Sequence, residues 1–159
     1  MAPLSPIRPL MTPLSSESNM TIIEKYNEHN AFGRLLDMHF KVLSPGVTEY
    51  HLKVKAEHLA TPHAAHGGLI GALTDASLGT AALSAVEINQ QVVSTIEYKL
   101  NFLSPAFEGD ELVAIGKVES QGKRILVVTC EVLCQNRDNK LIAKAMGTFN
   151  AYDAAKAGL

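Results

Sequence analysis

One carboxylate stands alone in a long apolar stretch. From Gly67 to Val86 the chain reads Gly-Gly-Leu-Ile-Gly-Ala-Leu-Thr-Asp-Ala-Ser-Leu-Gly-Thr-Ala-Ala-Leu-Ser-Ala-Val, and Asp75 is its only charge. An unpaired carboxylate in such surroundings costs several kcal/mol unless something satisfies or uses it. Buried carboxylates also tend towards raised pKa values, which suits a general base or nucleophile near neutral pH. The competing reading is a structural Asp bonded to nearby backbone. Nine residues before it, His66 heads the sequence His66-Gly67-Gly68. N–H groups in a helix's first turn have no intrahelical acceptor, and the macrodipole adds partial positive charge there. Glycine lets a carbonyl approach that backbone closely. The Gly67 N–H is therefore suited to an oxyanion, the species formed when water or a carboxylate adds to a carbonyl carbon. Asp75 lies two turns along the same helix, roughly 12 Å from Gly67 at 1.5 Å per residue. One subunit would struggle to bring both to one carbonyl, whereas a two-fold dimer can place Asp75 of one copy opposite Gly67 of the other.

Three histidines precede the helix. His58, His63 and His66 are spaced His-x4-His-x2-His, which resembles part of a zinc set, but no fourth ligand is evident and no cysteine is near. We expect no metal there, and a polar loop with one histidine bonded to backbone. Lys123 and Arg124 follow the turn at Gly122 and could meet phosphates, although turn cations are more often simply solvated.

The elements that must position these residues are legible in outline. Thr21 to Asn30 can form a helix with a capping box, Thr21 and Glu24, and Gly33 is expected to break it. Leu36 to Leu43 and Val47 to Ala56 read as a hairpin around Ser44-Pro45-Gly46. Gly67 to Ala85 is the one long helix, apolar nearly all round and so expected to be buried on most sides. Thr95 to Phe102 alternates polar and apolar residues cleanly, and Leu112 to Val118, Arg124 to Gln135 and Leu141 to Tyr152 follow as strands. The pattern predicts an α+β fold, an antiparallel sheet curled round a central helix, with an edge strand that a second copy would cover.

Composition narrows the classes. The chain has 159 residues, one domain by length, and its 47% hydrophobic content supports a real core. Charged content of 19% suggests that some surface is buried in an oligomer. A net charge of −2, no basic block and no Trp argue against a nucleic-acid platform. Cys130 and Cys134 fall on one strand face, ~13 Å apart at ~3.3 Å per residue, too far to bridge. Two buried free thiols fit a reducing, cytoplasmic setting. The polar residues and glycines of 67–86 argue against a membrane span. Residues 1–20, with Pro3, Pro6, Pro9 and Pro13, read as a flexible arm rather than a signal peptide, and 21–159 as the single domain.

Several of these motifs together resemble the hotdog-fold acyl-CoA thioesterases of the phenylacetate-degradation type. His66-Gly67-Gly68 with Asp75 and then Gly79, Thr95-Ile96-Glu97 leading into Asn101-Phe102-Leu103-Ser104-Pro105-Ala106, Gly109-Asp110, and Lys144-Ala145-Met146-Gly147-Thr148-Phe149 carry the likeness from roughly Ile22 to Tyr152. The resemblance implies hydrolysis of an acyl-CoA thioester to free acid and CoA, with no cofactor beyond the CoA of the substrate. It implies Asp75 as base or nucleophile, Gly67 as oxyanion donor, His66 and Gly68 at the same helix start, Thr95 holding the attacking water, and a homodimer or homotetramer. Two positions depart from that pattern. Ala60 stands where an Asn is common, and His63 where a Gly is common, so His63 or Thr61 would have to orient the substrate instead. A hotdog hydratase or dehydratase and a non-catalytic acyl-CoA binder remain as alternatives.

Overall fold

The computed structural model describes residues 20–159, so the expected arm, 1–20, lies almost wholly outside the described residues. Thr21 caps α1 (Ile22–His29): its hydroxyl accepts from the Glu24 N–H at 3.2 Å, and the Glu24 carboxylate accepts from the Thr21 N–H at 2.7 Å. Gly33 does not break a helix as expected. Asn30 ends α1 and caps a second helix, α2 (Ala31–Leu35), accepting from the Gly33 N–H.

Strands β1 (His39–Ser44) and β2 (Val47–Lys53) form the expected hairpin, with Pro45 and Gly46 at the turn and Gly46 at φ +84°. That is the Pro-Gly chemistry of a turn needing positive φ at its second central position. β2 stops earlier than expected because Lys55 to His58 turn in a 3₁₀ arc, the Lys55 N–H donating to His58 Nδ1 at 3.1 Å. Then come α3 (Gly67–Val86), β3 (Gln91–Phe102), β4 (Glu111–Gln121), β5 (Ile125–Cys134) and β6 (Lys140–Asp153). The six strands make one antiparallel sheet in the order β1-β2-β4-β5-β6-β3. It curls round α3, whose Leu69, Ile70, Leu73, Leu78, Ala81 and Ala82 fill the core. This is the hotdog architecture, and the α+β expectation is met.

A helix with four Ser and Thr residues is buried here because three of its hydroxyls turn to main chain. Ser77 donates to the Ala114 carbonyl at 3.0 Å, Thr80 to Ala76 at 2.8 Å and Ser84 to Ala81 at 2.8 Å. Gly116 of β4 lets the helix come this close, since a Cβ there would collide with the Ser77 carbonyl. The stretch Gly67–Asn89 is long and apolar enough to cross a membrane by length and composition, but 67% of its most apolar window is buried in the fold. Burial is not complete. One stripe, Gly68, Gly71, Ala72, Asp75, Ala76 and Gly79, stays at least partly open.

The loop between β3 and β4 fixes the approach to α3. Ala65 N–H donates to the Ala106 carbonyl at 2.9 Å, and Ala64 bridges Phe107. A half-buried ion pair holds this loop: the buried Asp110 Oδ2 accepts from Arg137 Nη2 at 2.6 Å and from the Phe107 N–H at 2.8 Å, while Arg137 also donates to the Pro105 carbonyl and lies over the Phe107 ring. Asp110→Ala leaves the Phe107 N–H without its acceptor and removes one of the partners of Arg137. We expect a loss of about 1–3 kcal/mol, read by urea unfolding as a lower midpoint at unchanged slope. Cys130 and Cys134 are free and buried on β5, and burial pushes the Cys130 thiol up to about 12.

Candidate active site

The start of α3 is built by His66. It has the extended backbone of an N-cap, and its Nδ1 accepts from the Gly68 N–H at 2.7 Å. Nδ1 being the acceptor, the neutral ring carries its proton on Nε2. The His66 N–H in turn donates to the His58 carbonyl at 2.8 Å, so His58 and His66 brace one turn rather than face a common ion. With the Gly68 N–H taken by the cap, the Gly67 N–H is left without an acceptor among the described residues. It is exposed at the positive end of a 20-residue helix. Gly68 cannot carry a side chain without moving His66, because its Cβ would lie 2.8 Å from Nδ1. At Gly67 a Cβ would meet only the edge of the Phe102 ring, at 3.4 Å.

Asp75 lies on the open stripe of α3, half-buried rather than fully buried as the apolar sequence suggests. Its Oδ1 accepts from Thr95 Oγ1 at 3.0 Å. Strict alternation along 95–102 would put Thr95 and Tyr98 on opposite faces of β3. A bulge between Thr95 and Glu97 changes that: Thr95 pairs with Phe149 and Glu97 with Thr148, leaving Ile96 unpaired and 54% exposed. Thr95 and Tyr98 then both reach α3, the Tyr98 hydroxyl lying beside Gly71. Tyr26 of α1 approaches as well. Burial pushes both phenols above their ordinary range, and the Asp75 charge adds to it, for Tyr26 behind the influence of Tyr50.

Thr95 holds the carboxylate by a hydrogen bond to a charged group, worth about 1.5–3 kcal/mol. Thr95→Val removes this donor and is expected to leave Asp75 free to turn into the cavity, whereas Thr95→Ser keeps the bond; the check is the Asp75 side-chain conformation in structures of the two variants.

Asp75 and Thr95 open on a cavity of about 290 Å³ between α3, β3, α1 and the C-terminal turn. Lys123 and Arg124 line a second depression of about 320 Å³ that shares Tyr152 with the first. Lys156 joins them there, and Arg124 Nη2 donates to Asn150 Oδ1 at 3.2 Å. His63 is exposed, its N–H donating weakly to Thr61 Oγ1, which also accepts from Ala64. Thr61 is thus spent on its own loop, and neither residue reaches the Asp75 cavity. The structure brings together Asp75 with Thr95 and His66 with Gly67 and Gly68, but as two separate groups within one chain. Tyr26, Tyr98, Tyr152 and Lys156 went unnoticed in the sequence. Only the fold brings the helix at one end of the chain and the turn at the other beside β3.

A six-stranded antiparallel sheet curled round one long helix defines the hotdog class of folds. Residues 63–140 match the Thioesterase superfamily. Human acyl-coenzyme A thioesterase 13 is 31% identical over 105 residues, 66% of this chain and 73% of that protein. Acyl-coenzyme A thioesterase PaaI of Escherichia coli is 27% identical over 122 residues, 76% of this chain and 81% of that protein. The solved structure of E. coli PaaI, from the phenylacetic acid degradation operon, superposes with a TM-score of 0.75 at 25% identity, covering 82% of this chain and 90% of that one. The chain belongs to the thioesterase superfamily.

Proposed function

We propose that the protein hydrolyses an acyl-CoA thioester to the free acid and coenzyme A. The observation that carries this is the Asp75 carboxylate, held by Thr95 at 3.0 Å and opening on a cavity, on the same helix whose capped start leaves the Gly67 N–H free. Water attacks the thioester carbonyl carbon and gives its proton to Asp75. The oxygen, now an anion, accepts from the Gly67 N–H. The C–S bond then breaks, and the departing CoA sulfur takes the proton back from Asp75. Direct attack by the carboxylate, through a mixed anhydride that water then cleaves, uses the same two groups.

The working unit is a homodimer, alone or paired into a tetramer. Gly67 and Asp75 lie too far apart along α3 to share one carbonyl. β3 ends the sheet with an unpaired edge of 12 residues, and Ile96 and Phe102 are 54% and 58% exposed beside the open stripe of α3. Long apolar edges pair. A second copy placed on this edge brings its own Gly67 towards the first copy's Asp75. Lys123, Arg124 and Lys156 supply positive charge for the CoA phosphates. The cytoplasm, with its reducing poise and its CoA esters, is the compartment this reading expects.

The test is thiol release from aromatic, short and medium acyl-CoA esters, followed with a thiol-trapping dye. Turnover on at least one ester is the expected result. Tight binding of the esters without release would make the protein an acyl-CoA binder instead.

A further inference from the structure

We infer that the cavity behind Asp75 is the acyl pocket, and that the C-terminal turn, through Ala157 and Leu159, sets the largest acyl group it takes. This rests on the thioesterase reading above. Asp75, Ala76, Gly79 and Leu83 line the cavity on successive turns of α3, so it runs along the helix away from Gly67, with the acid at one end. The other end is apolar. Leu83 and Val92 belong there to a small cluster separate from the main core, with Ile22 and Ala154, against which Tyr26, Tyr152 and Leu159 pack. The two ends of the described chain close over this part of α3. The Ile23 N–H donates to Glu87 Oε2 at 3.3 Å, and the Ala154 N–H donates to the Gln90 carbonyl at 3.0 Å. An acyl carbonyl beside Asp75 and Thr95 then has its hydrocarbon in the apolar end.

Size follows from volume. A cavity of ~150 Å³ holds one benzene ring. The 290 Å³ here is about twice that, room for roughly a dozen carbon atoms. The substrate class is thus medium-chain or single-ring aryl acyl-CoA, with long-chain acyl groups excluded. Each methylene accommodated in an apolar site is worth about fourfold in kcat/KM.

The experiment compares kcat/KM across acetyl-, octanoyl-, dodecanoyl-, hexadecanoyl- and phenylacetyl-CoA for the unaltered protein and two variants. Octanoyl, phenylacetyl or dodecanoyl should lead, with hexadecanoyl poorest among the long chains. Ala157→Phe fills the pocket and should lower the octanoyl-to-acetyl ratio at least tenfold. Leu159→Ala opens it and should raise the hexadecanoyl-to-octanoyl ratio severalfold. A folding defect lowers all rates alike and cannot move the ratios in these directions. Unchanged ratios in both variants, with thermal unfolding showing both folded, would overturn the assignment; in folded variants, equal losses on every ester would overturn it too, placing these walls against the pantetheine arm common to all. Absence of hydrolysis by the unaltered protein would instead overturn the thioesterase reading, and the acyl pocket with it.

Discussion

Asp75→Asn is expected to lower thioester turnover by about 10²–10⁴-fold, the usual contribution of a positioned general base. The amide matches the carboxylate in size and can still accept from Thr95 Oγ1, so the hydrogen bond to β3 survives. It cannot take a proton from water or attack a carbonyl. A nucleophilic role for Asp75 would add to the loss. Because Asp75 is half-buried on an open stripe and belongs to no core cluster, the unfolding midpoint should stay near that of the unaltered protein. Turnover close to the unaltered rate on the best ester would make Asp75 a structural residue.

Gly68→Ala is the second large effect. The added methyl would lie 2.8 Å from His66 Nδ1, so the ring must leave the cap. Losing an N-cap costs about 1 kcal/mol in stability. The larger consequence is for the reaction. With the cap gone, the first turn no longer holds the Gly67 N–H in a fixed direction, and losing one oxyanion donor costs about 10²–10³-fold in kcat. The rate should fall far more than the stability does. Thiol-release kinetics beside thermal unfolding separate the two.

Much of this site can be read in the sequence because it depends on local rules. His66-Gly67-Gly68 before an apolar run is an N-cap and helix start, and the structure uses it as one. The isolation of Asp75 marks it whatever the tertiary fold. The hairpin at Pro45-Gly46 and the capping box at Thr21 are equally local. The bulge at Ile96 is not. The alternation of Thr95 to Phe102 fits a regular strand, and only pairing with β6 over a curled sheet shifts its phase. That shift turns Thr95 towards the acid. Gly33 misleads for a similar reason: it reads as a helix breaker, whereas Asn30 makes the boundary and Gly33 sits inside the second helix. The tyrosines around Asp75 come from three distant parts of the chain, and no spacing connects them.

The claim that one site draws on two copies is tested most directly by mixing the two impaired variants, Asp75→Asn and Gly68→Ala, under conditions of subunit exchange. Each alone lacks one half of every site. In a heterodimer, Asp75 from the Gly68→Ala copy faces the intact helix start of the Asp75→Asn copy, and one of the two sites is whole. With half the dimers mixed and one site restored in each, activity should recover to about a quarter of the unaltered rate. No recovery, with exchange verified by native mass spectrometry, would mean that each subunit works with its own Gly67 and Asp75.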